Sequence, residues 1–159
     1  MGRKIADVTI ADEGRDKGKV FSLVEMSASA AEKWAGRALF VAAQSGADIL
    51  NVRAGMAGVA TLSIGTVLGA KFSEVEPLLD EMFECVAYRP DPRNPAIMRG
   101  GRYCNIPGVM TVIGPLVETD IEEVMTRVKL RQELLTLHLG FSIADALSNW
   151  MNRVSATQD

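Results

Sequence analysis

The chain has 159 residues, of which 48% are apolar and 23% are charged. This composition is typical of a globular protein and argues against general disorder. The 17 basic and 20 acidic side chains give a net charge of −3, which excludes the strongly basic surface of a dedicated nucleic-acid binder. The length suits a single domain covering residues 1–159.

Two short apolar segments near the start predict a β-hairpin over residues 5–26. The first is DVTI, the second is VFSLVEM, and the polar loop between them carries Gly14 and Gly18. Both faces of the second segment are largely apolar, so the sequence leaves its register open. An isolated hairpin is marginally stable in water, and we therefore expect this one to pack on helices or on another chain.

Residues 29–88 are predicted to form a mostly helical part. Four hydroxyl residues precede an acid by three positions, as in a capping box: Ser29, Ser73, Thr119 and Ser142. We expect one helix over about Ala30–Ser45, a glycine-weakened second helix from Asp48, and a third over Ser73–Tyr88.

Residues 54–70 carry no charge, and their length is the lower limit for a membrane span. Most of them are Gly, Ala, Ser or Thr, so the segment would gain little by entering hydrocarbon. We favour a closely packed soluble helix, with a small membrane protein spanning residues 54–70 as an alternative.

Residues 89–116 are predicted to be an irregular excursion between helices. Three prolines lie between Arg89 and Pro95 and exclude a helix there. The next stretch, AIMRGGRYC, forms either a second hairpin turning at Gly100 and Gly101 or a mobile loop.

Residues 119–153 are predicted to be helical, with a possible kink at Gly140. Their apolar side chains form two faces that are rotated from each other. The first face consists of Ile121, Val124, Met125 and Val128, and the second of Leu130, Leu134, Leu137 and Phe141. This apolar arc is wider than one small core requires, so we expect burial from two sides, by the domain's other helices or by another subunit. The predicted fold is mainly α (α+β), an N-terminal β-hairpin followed by a bundle of about five helices.

The residues point to no enzyme, cofactor or metal site. His138 is the only histidine, and Cys85 and Cys104 lack the spacing of a zinc site. A catalytic pair of Cys85 and His138 is conceivable, but Cys85 lies at a core position of its predicted helix and His138 is best interpreted as a packing or interface residue. Two cysteines without a secretory signal favour a reducing cytoplasm.

The charged and aromatic side chains of the last helix fit a protein-binding role. Arg127 and Arg131 share one helix face and Lys129 lies on the opposite one, so the three form no phosphate-binding stripe. The predicted partner contacts are Leu130, Leu134, Leu137, Phe141, Trp150 and Met151.

Three stretches together resemble a known family. They are FSLVEMSASAAEKWAGRALFVAAQSGADI (residues 21–49), FSEVEPLLDEMFECVAYRPDPRNP (72–95) and PLVETDIEEVMTRVKLRQELLTLHLGFS (115–142). The order of these stretches and the pattern of their apolar and charged residues resemble those of the tail assembly chaperones of long-tailed double-stranded DNA bacteriophages and prophages. The insert-like stretch at residues 100–114 departs from that pattern.

The resemblance implies a non-enzymatic assembly factor in the host cell cytoplasm. Such a chaperone keeps the tape-measure protein soluble and brings tail-tube subunits to it, with no nucleic acid or membrane as partner. A homo-oligomer is possible. The alternative from a different class is a structural phage tail or neck protein present in the virion, which would extend a neighbour's sheet with the N-terminal ribbon.

Overall fold

The N-terminal hairpin lies within a larger sheet. The computed structural model describes residues 2–44 and 72–139, together with Asn152. Strand β1 (Ile5–Thr9) pairs antiparallel with β2 (Val20–Val24), and Val8 lies opposite Phe21. The predicted hairpin is thus confirmed, and its β2 strand becomes an inner strand of the sheet.

The sheet continues beyond β2 with three more strands. They are β3 (Val86–Tyr88), β4 (Ile97–Gly100) and β5 (Thr111–Val112), and the spatial order is β1-β2-β3-β4-β5. The first three pairings are antiparallel, whereas β4 and β5 run parallel. The result is a mixed sheet.

The described residues contain three α-helices: α1 (Ala28–Gln44), α2 (Phe72–Phe83) and α3 (Val124–Leu139). A short 3-10 turn at Glu118–Asp120 precedes α3. The predicted bundle of about five helices is therefore wrong, because three helices here pack with a five-stranded mixed sheet. Short apolar segments fit a buried strand as well as a helix, and strand pairing decides between the two.

The predicted third helix ends earlier than expected, and its last part is a strand. Helix α2 stops at Phe83, and residues 86–88 form β3 between β2 and β4. Cys85, Val86 and Ala87 are completely buried. A central strand can be apolar on both faces. Its residues therefore lack the alternation that marks a strand, and the sequence pattern of α2 continues through them.

The predicted excursion at residues 89–116 also contains regular structure. Strands β3 and β4 form an antiparallel hairpin, and the proline-containing segment is its connection. Gly101 does not form a hairpin turn; its N–H donates to the carbonyl of Val86 at 3.2 Å. A Cβ at Gly101 would lie 2.1 Å from Glu84 Cα, so glycine permits the close approach of two backbones here.

The sheet has a hydrophobic cluster on each face. Phe21 and Leu23 of β2 belong to the cluster that includes residues of α2 and α3, whereas Val24 belongs to the second. This double burial explains why the sequence leaves the β2 register open. The fully or almost fully buried members of the second cluster are Val24, Ala87, Met98, Cys104 and Met110.

Helix α1 packs on α2 through a third cluster that contains Val41, Val75 and Leu78. The indole Nε1 of Trp34 donates to the carbonyl of Leu78 at 3.0 Å. The helix begins one residue before the predicted Ser29 cap, and the Ser27 hydroxyl accepts the N–H of Ala30 instead. Ser27 and Ser29 can both cap this helix, and the backbone geometry at its start favours Ser27.

Two sequence predictions lie outside the described residues. They are the glycine-rich helix from Asp48 and the charge-free segment at residues 54–70. Among the helices of residues 2–44 and 72–139, none is both long and apolar enough to cross a membrane.

Candidate functional site

The structure assigns the two predicted apolar faces of the last helix to different environments. Leu130 and Leu134 are 0% and 1% exposed and lie in the cluster shared with β2. Leu137 is partly buried against the same cluster. The expectation that Leu130 and Leu134 contact a partner is therefore corrected: they lie on the core face of α3. Phe141, Trp150 and Met151 lie outside the described residues.

The opposite face of α3 is exposed. Val124 and Met125 are 75% and 69% exposed, and Val128 is 37% exposed. With 3.6 residues per turn, Val124 and Val128 lie one turn apart, away from the side that carries Leu130 and Leu134. We call Val124, Met125 and Val128 the α3 apolar patch. Neighbouring exposed apolar side chains of this kind are a candidate protein-binding surface.

The start of α3 is fixed by a carboxylate from a distant loop. Asp16, in the connection between β1 and β2, accepts the N–H of Glu122 at 3.0 Å and the N–H of Glu123 at 2.8 Å. These are amide groups of the kind that a helix N-terminus leaves without intrahelical partners. The helix consequently begins at Val124 and not at the predicted Thr119.

The Asp16 carboxylate is 1% exposed and is ionised by its surroundings. Burial raises its pKa, but the hydrogen bond from Lys19 and those from the backbone of Glu122 and Glu123 outweigh it and lower the pKa to about 2. Lys19 Nζ lies 2.9 Å from Asp16 Oδ1 and also donates to the Thr119 carbonyl at 2.8 Å. The hairpin loop is thereby joined to the segment before α3.

A second ion pair joins the same segment to the sheet. The Arg99 guanidinium of β4 forms a two-pronged pair with Asp120, which is 1% exposed. Burial raises the pKa of Asp120, but the Arg99 hydrogen bonds and the N–H of Val117 lower it below its usual range. Arg99 also packs over the Tyr88 ring, 5.6 Å from its centroid. Two buried carboxylates thus hold the N-terminal end of α3, where the apolar patch lies.

Basic side chains lie near the α3 apolar patch. Arg127 and Arg131 both pack over the ring of Phe83 at the end of α2. Lys129 lies near Asp12, with 3.9 Å between Nζ and Oδ2. The predicted separation of the arginines from Lys129 is confirmed, since the two groups contact different parts of the molecule.

An open groove of about 780 Å³ lies between α1, α2 and the segment after β4. Its lining includes Lys33, Arg37, Glu81 and Arg102. Arg37 and Arg102 both pair with Glu81, so the one carboxylate among the described lining residues is already neutralised. Those described residues form no free acid and base pair for proton transfer.

Comparison with known protein families, curated proteins and solved structures gives no match. The function is therefore inferred from the geometry of the chain and from its sequence pattern.

The conceivable catalytic pair of Cys85 and His138 does not form. His138 Nε2 accepts the N–H of Met26 at 2.9 Å, and Nδ1 lies 2.8 Å from the Leu134 carbonyl. Burial raises the pKa of Cys85 to about 12, which leaves a thiol and no nucleophilic thiolate. His138 is thus a packing residue that fastens α3 to the chain after β2. No group of three or more metal-ligating side chains is found in the described part of the chain.

Sequence reasoning missed Asp16 and Arg99. Asp16 lies in the polar run DEGRDKGK beside Asp12 and Glu13, and nothing in that run distinguishes the buried carboxylate from the solvated ones. The backbone amides that it binds, those of Glu122 and Glu123, are more than 100 residues away, so only the folded chain reveals its role.

Proposed function

We propose that this chain is a non-catalytic tail assembly chaperone of a long-tailed double-stranded DNA phage or prophage. It binds the tape-measure protein in the host cell cytoplasm and helps to recruit tail-tube subunits. The observation that carries the proposal is the α3 apolar patch, which faces solvent while the other face of the same helix closes the core. The family resemblance of the three stretches supplies the identity of the partner.

The composition of the patch suits a long and variable client. Met125 is unbranched and adapts to irregular apolar surfaces, while Val124 and Val128 add a narrow apolar row. A patch of three side chains gives modest affinity at each contact. Many copies bound along one extended client would still cover it, and each copy could be displaced when tube subunits arrive.

The test is co-expression with the adjacent tape-measure gene, with the soluble fraction of the tape-measure protein as the readout. We expect the unaltered chain to raise that fraction and the Val124→Ser/Met125→Ser variant to lose most of the effect. Val109→Ser/Ile113→Ser is the matched control, because Val109 and Ile113 are also exposed, at 55% and 60%, and lie outside α3.

Two results would contradict the proposal. One is a tape-measure protein that remains insoluble with the unaltered chain. The other is equal loss of solubility with both double variants although circular dichroism shows both to be folded, since the patch would then have no specific role.

The second candidate is a structural tail or neck protein, and the edge of the sheet favours it. Among the described strands, β1 pairs with β2 alone, so its outer edge presents backbone donors and acceptors to a neighbour. The neighbour could be a virion protein or a second copy of the chain. Mass spectrometry of purified particles decides: a structural protein is found in them at stoichiometric amounts, whereas a chaperone is absent.

A further inference from the structure

Two arginines on α3 share one aromatic ring. Arg127 Cζ lies 4.0 Å from the centroid of Phe83, and Arg131 Cζ lies 4.5 Å from it. The residues are four apart, so they occupy successive turns of one helix face. Their like charges would repel each other, and packing on the ring of Phe83 holds them close despite this.

The pair is short of negative charge. Among residues 2–44 and 72–139, no carboxylate oxygen lies within 4.0 Å of a nitrogen of Arg127 or Arg131. Burial lowers the pKa of Arg131, and the charge of Arg127 lowers it further, while the charge of Asp80 raises it. The Nε of Arg131 is buried and has no hydrogen-bond partner in the described part of the chain. The buried Nε itself cannot contact a ligand, but both side chains are partly exposed, so their charge is open to an external anion.

The geometry favours a carboxylate as that anion. A guanidinium that packs its plane on an aromatic ring keeps its N–H groups directed outward in that plane. Planar carboxylates accept two such N–H groups at once. The net charge of −3 disfavours a long polyanion such as nucleic acid.

The arginine pair runs beside the α3 apolar patch. Val124 and Val128 form one row along the helix, and Arg127 and Arg131 form a second row three positions further on. Residues separated by three or four positions are neighbours on a helix surface. A ligand that covers the valine row thus meets the arginine row along its edge.

We propose that Arg127 and Arg131 bind glutamate or aspartate side chains on one edge of an amphipathic partner helix, whose apolar face covers the α3 apolar patch. This inference rests on the proposed partner-binding function and specifies the chemistry of the partner. The arginine row sets the direction and register of the helix, because charge pairs contribute more to specificity than to affinity.

The test uses two synthetic amphipathic helical peptides that differ only at the polar edge. One carries glutamate beside its leucine face, and the other carries glutamine at the same positions. Binding of each to the full chain is measured by fluorescence anisotropy at low and at high salt. We expect the glutamate peptide to bind about fivefold or more tightly at low salt, and the difference to shrink as salt screens the pairs.

Three variants test whether the preference for the glutamate peptide depends on Arg127 and Arg131. Arg127→Gln/Arg131→Gln is expected to abolish the preference for glutamate and to keep the weaker binding that both peptides share. Arg127→Lys/Arg131→Lys retains the charge and should recover part of the preference, which also controls for any loss of stability. Lys129→Gln, on the other side of α3, should leave the preference unchanged.

The inference is overturned if neither peptide binds, if both bind equally to the unaltered chain, or if the glutamine variant keeps the preference. Arginine-dependent binding of inorganic phosphate or a single-stranded oligonucleotide that exceeds binding of the glutamate peptide would also overturn it, since the site would then take phosphate. Solubility of the tape-measure protein is measured separately, so the proposed function can fail while the peptide preference stands.

Discussion

The Asp16 carboxylate accepts the backbone N–H of Glu122 at 3.0 Å across 106 residues of chain. It accepts the next amide, that of Glu123, as well. One carboxylate from the loop of the N-terminal hairpin thus caps the segment that starts α3 and fixes where the α3 apolar patch is presented. The hairpin and the last described helix are consequently expected to depend on each other for stability.

Asp16→Ala should destabilise the protein by about 3 kcal/mol, because it leaves the amides of Glu122 and Glu123 and the Lys19 ammonium without their anionic partner. Urea unfolding followed by tryptophan fluorescence measures the change. Asp12→Ala is the matched control in the same loop: Asp12 is 73% exposed and only loosely paired with Lys129, so we expect a loss below about 0.5 kcal/mol. Equal losses for the two variants would refute the capping role.

Stability should fall below about pH 5 for the same reason. The pKa of Asp16 is about 2 in the folded chain against an ordinary value of 3.8, so the unfolded chain takes up the proton first as the pH falls. The stabilisation is complete above about pH 5, is lost as the pH falls through 3.8 towards 2, and amounts to about 2 kcal/mol. Asp120, whose pKa is also lowered, acts in the same direction.

Urea unfolding at a series of pH values measures this loss. The Asp16→Asn variant should lose less stability over the acid range than the unaltered chain, because the carboxylate whose pKa is lowered to about 2 is gone. If the unfolding free energies of the two proteins fall in parallel with pH, Asp16 does not contribute to the acid sensitivity.

The two faces of α3 should respond differently to truncation. Leu134→Ala removes a side chain that is 1% exposed and should cost about 3 kcal/mol through lost burial and the cavity left behind. Val128→Ala, on the exposed face, should cost less than about 1 kcal/mol. Thermal melts of both variants test the corrected assignment of the faces, and a greater loss for Val128→Ala would reverse it.

Two glycine substitutions should change stability in opposite directions. Gly101→Ala places a Cβ 2.1 Å from Glu84 Cα, which forces the two backbone segments apart. The variant should fail to fold or lose at least about 3 kcal/mol of unfolding free energy. Gly36 lies within α1 with open space around it, so Gly36→Ala should stabilise by about 0.5–1 kcal/mol. Circular dichroism with thermal melting compares them, and a well-folded Gly101→Ala protein would contradict the close backbone contact.

Local patterns in the sequence predicted the elements that depend on near neighbours. The two apolar segments and the polar loop between them at residues 5–26 predicted the hairpin, and the helical spacing of apolar residues after residue 28 predicted α1. The isolated position of His138 on an apolar helix indicated packing, which its contacts with Met26 and Leu134 confirm. These features need only the repeat of the helix or strand and the chemistry of adjacent residues.

The strands β3, β4 and β5 could not be predicted in the same way. The apolar run at residues 85–87 continues the pattern of α2, and only its pairing with β2 on one side and β4 on the other makes it a strand. The predicted helical bundle was wrong for this reason, because the strands that extend the sheet had been assigned to a helix and to an irregular excursion. Sheet formation joins residues that are far apart in the chain, and its stability is decided by the partner strand as much as by the segment itself.

By itself, the sequence determined that the last described helix carries two apolar faces, whereas binding in place of catalysis stays a prediction. Only the tertiary structure decided which face is which: β2 covers Leu130 and Leu134, while Val124 and Met125 are left exposed. Helical periodicity specifies the angle between two faces. The surface that a face buries against is specified by chain segments about a hundred residues away, whose positions no local pattern contains.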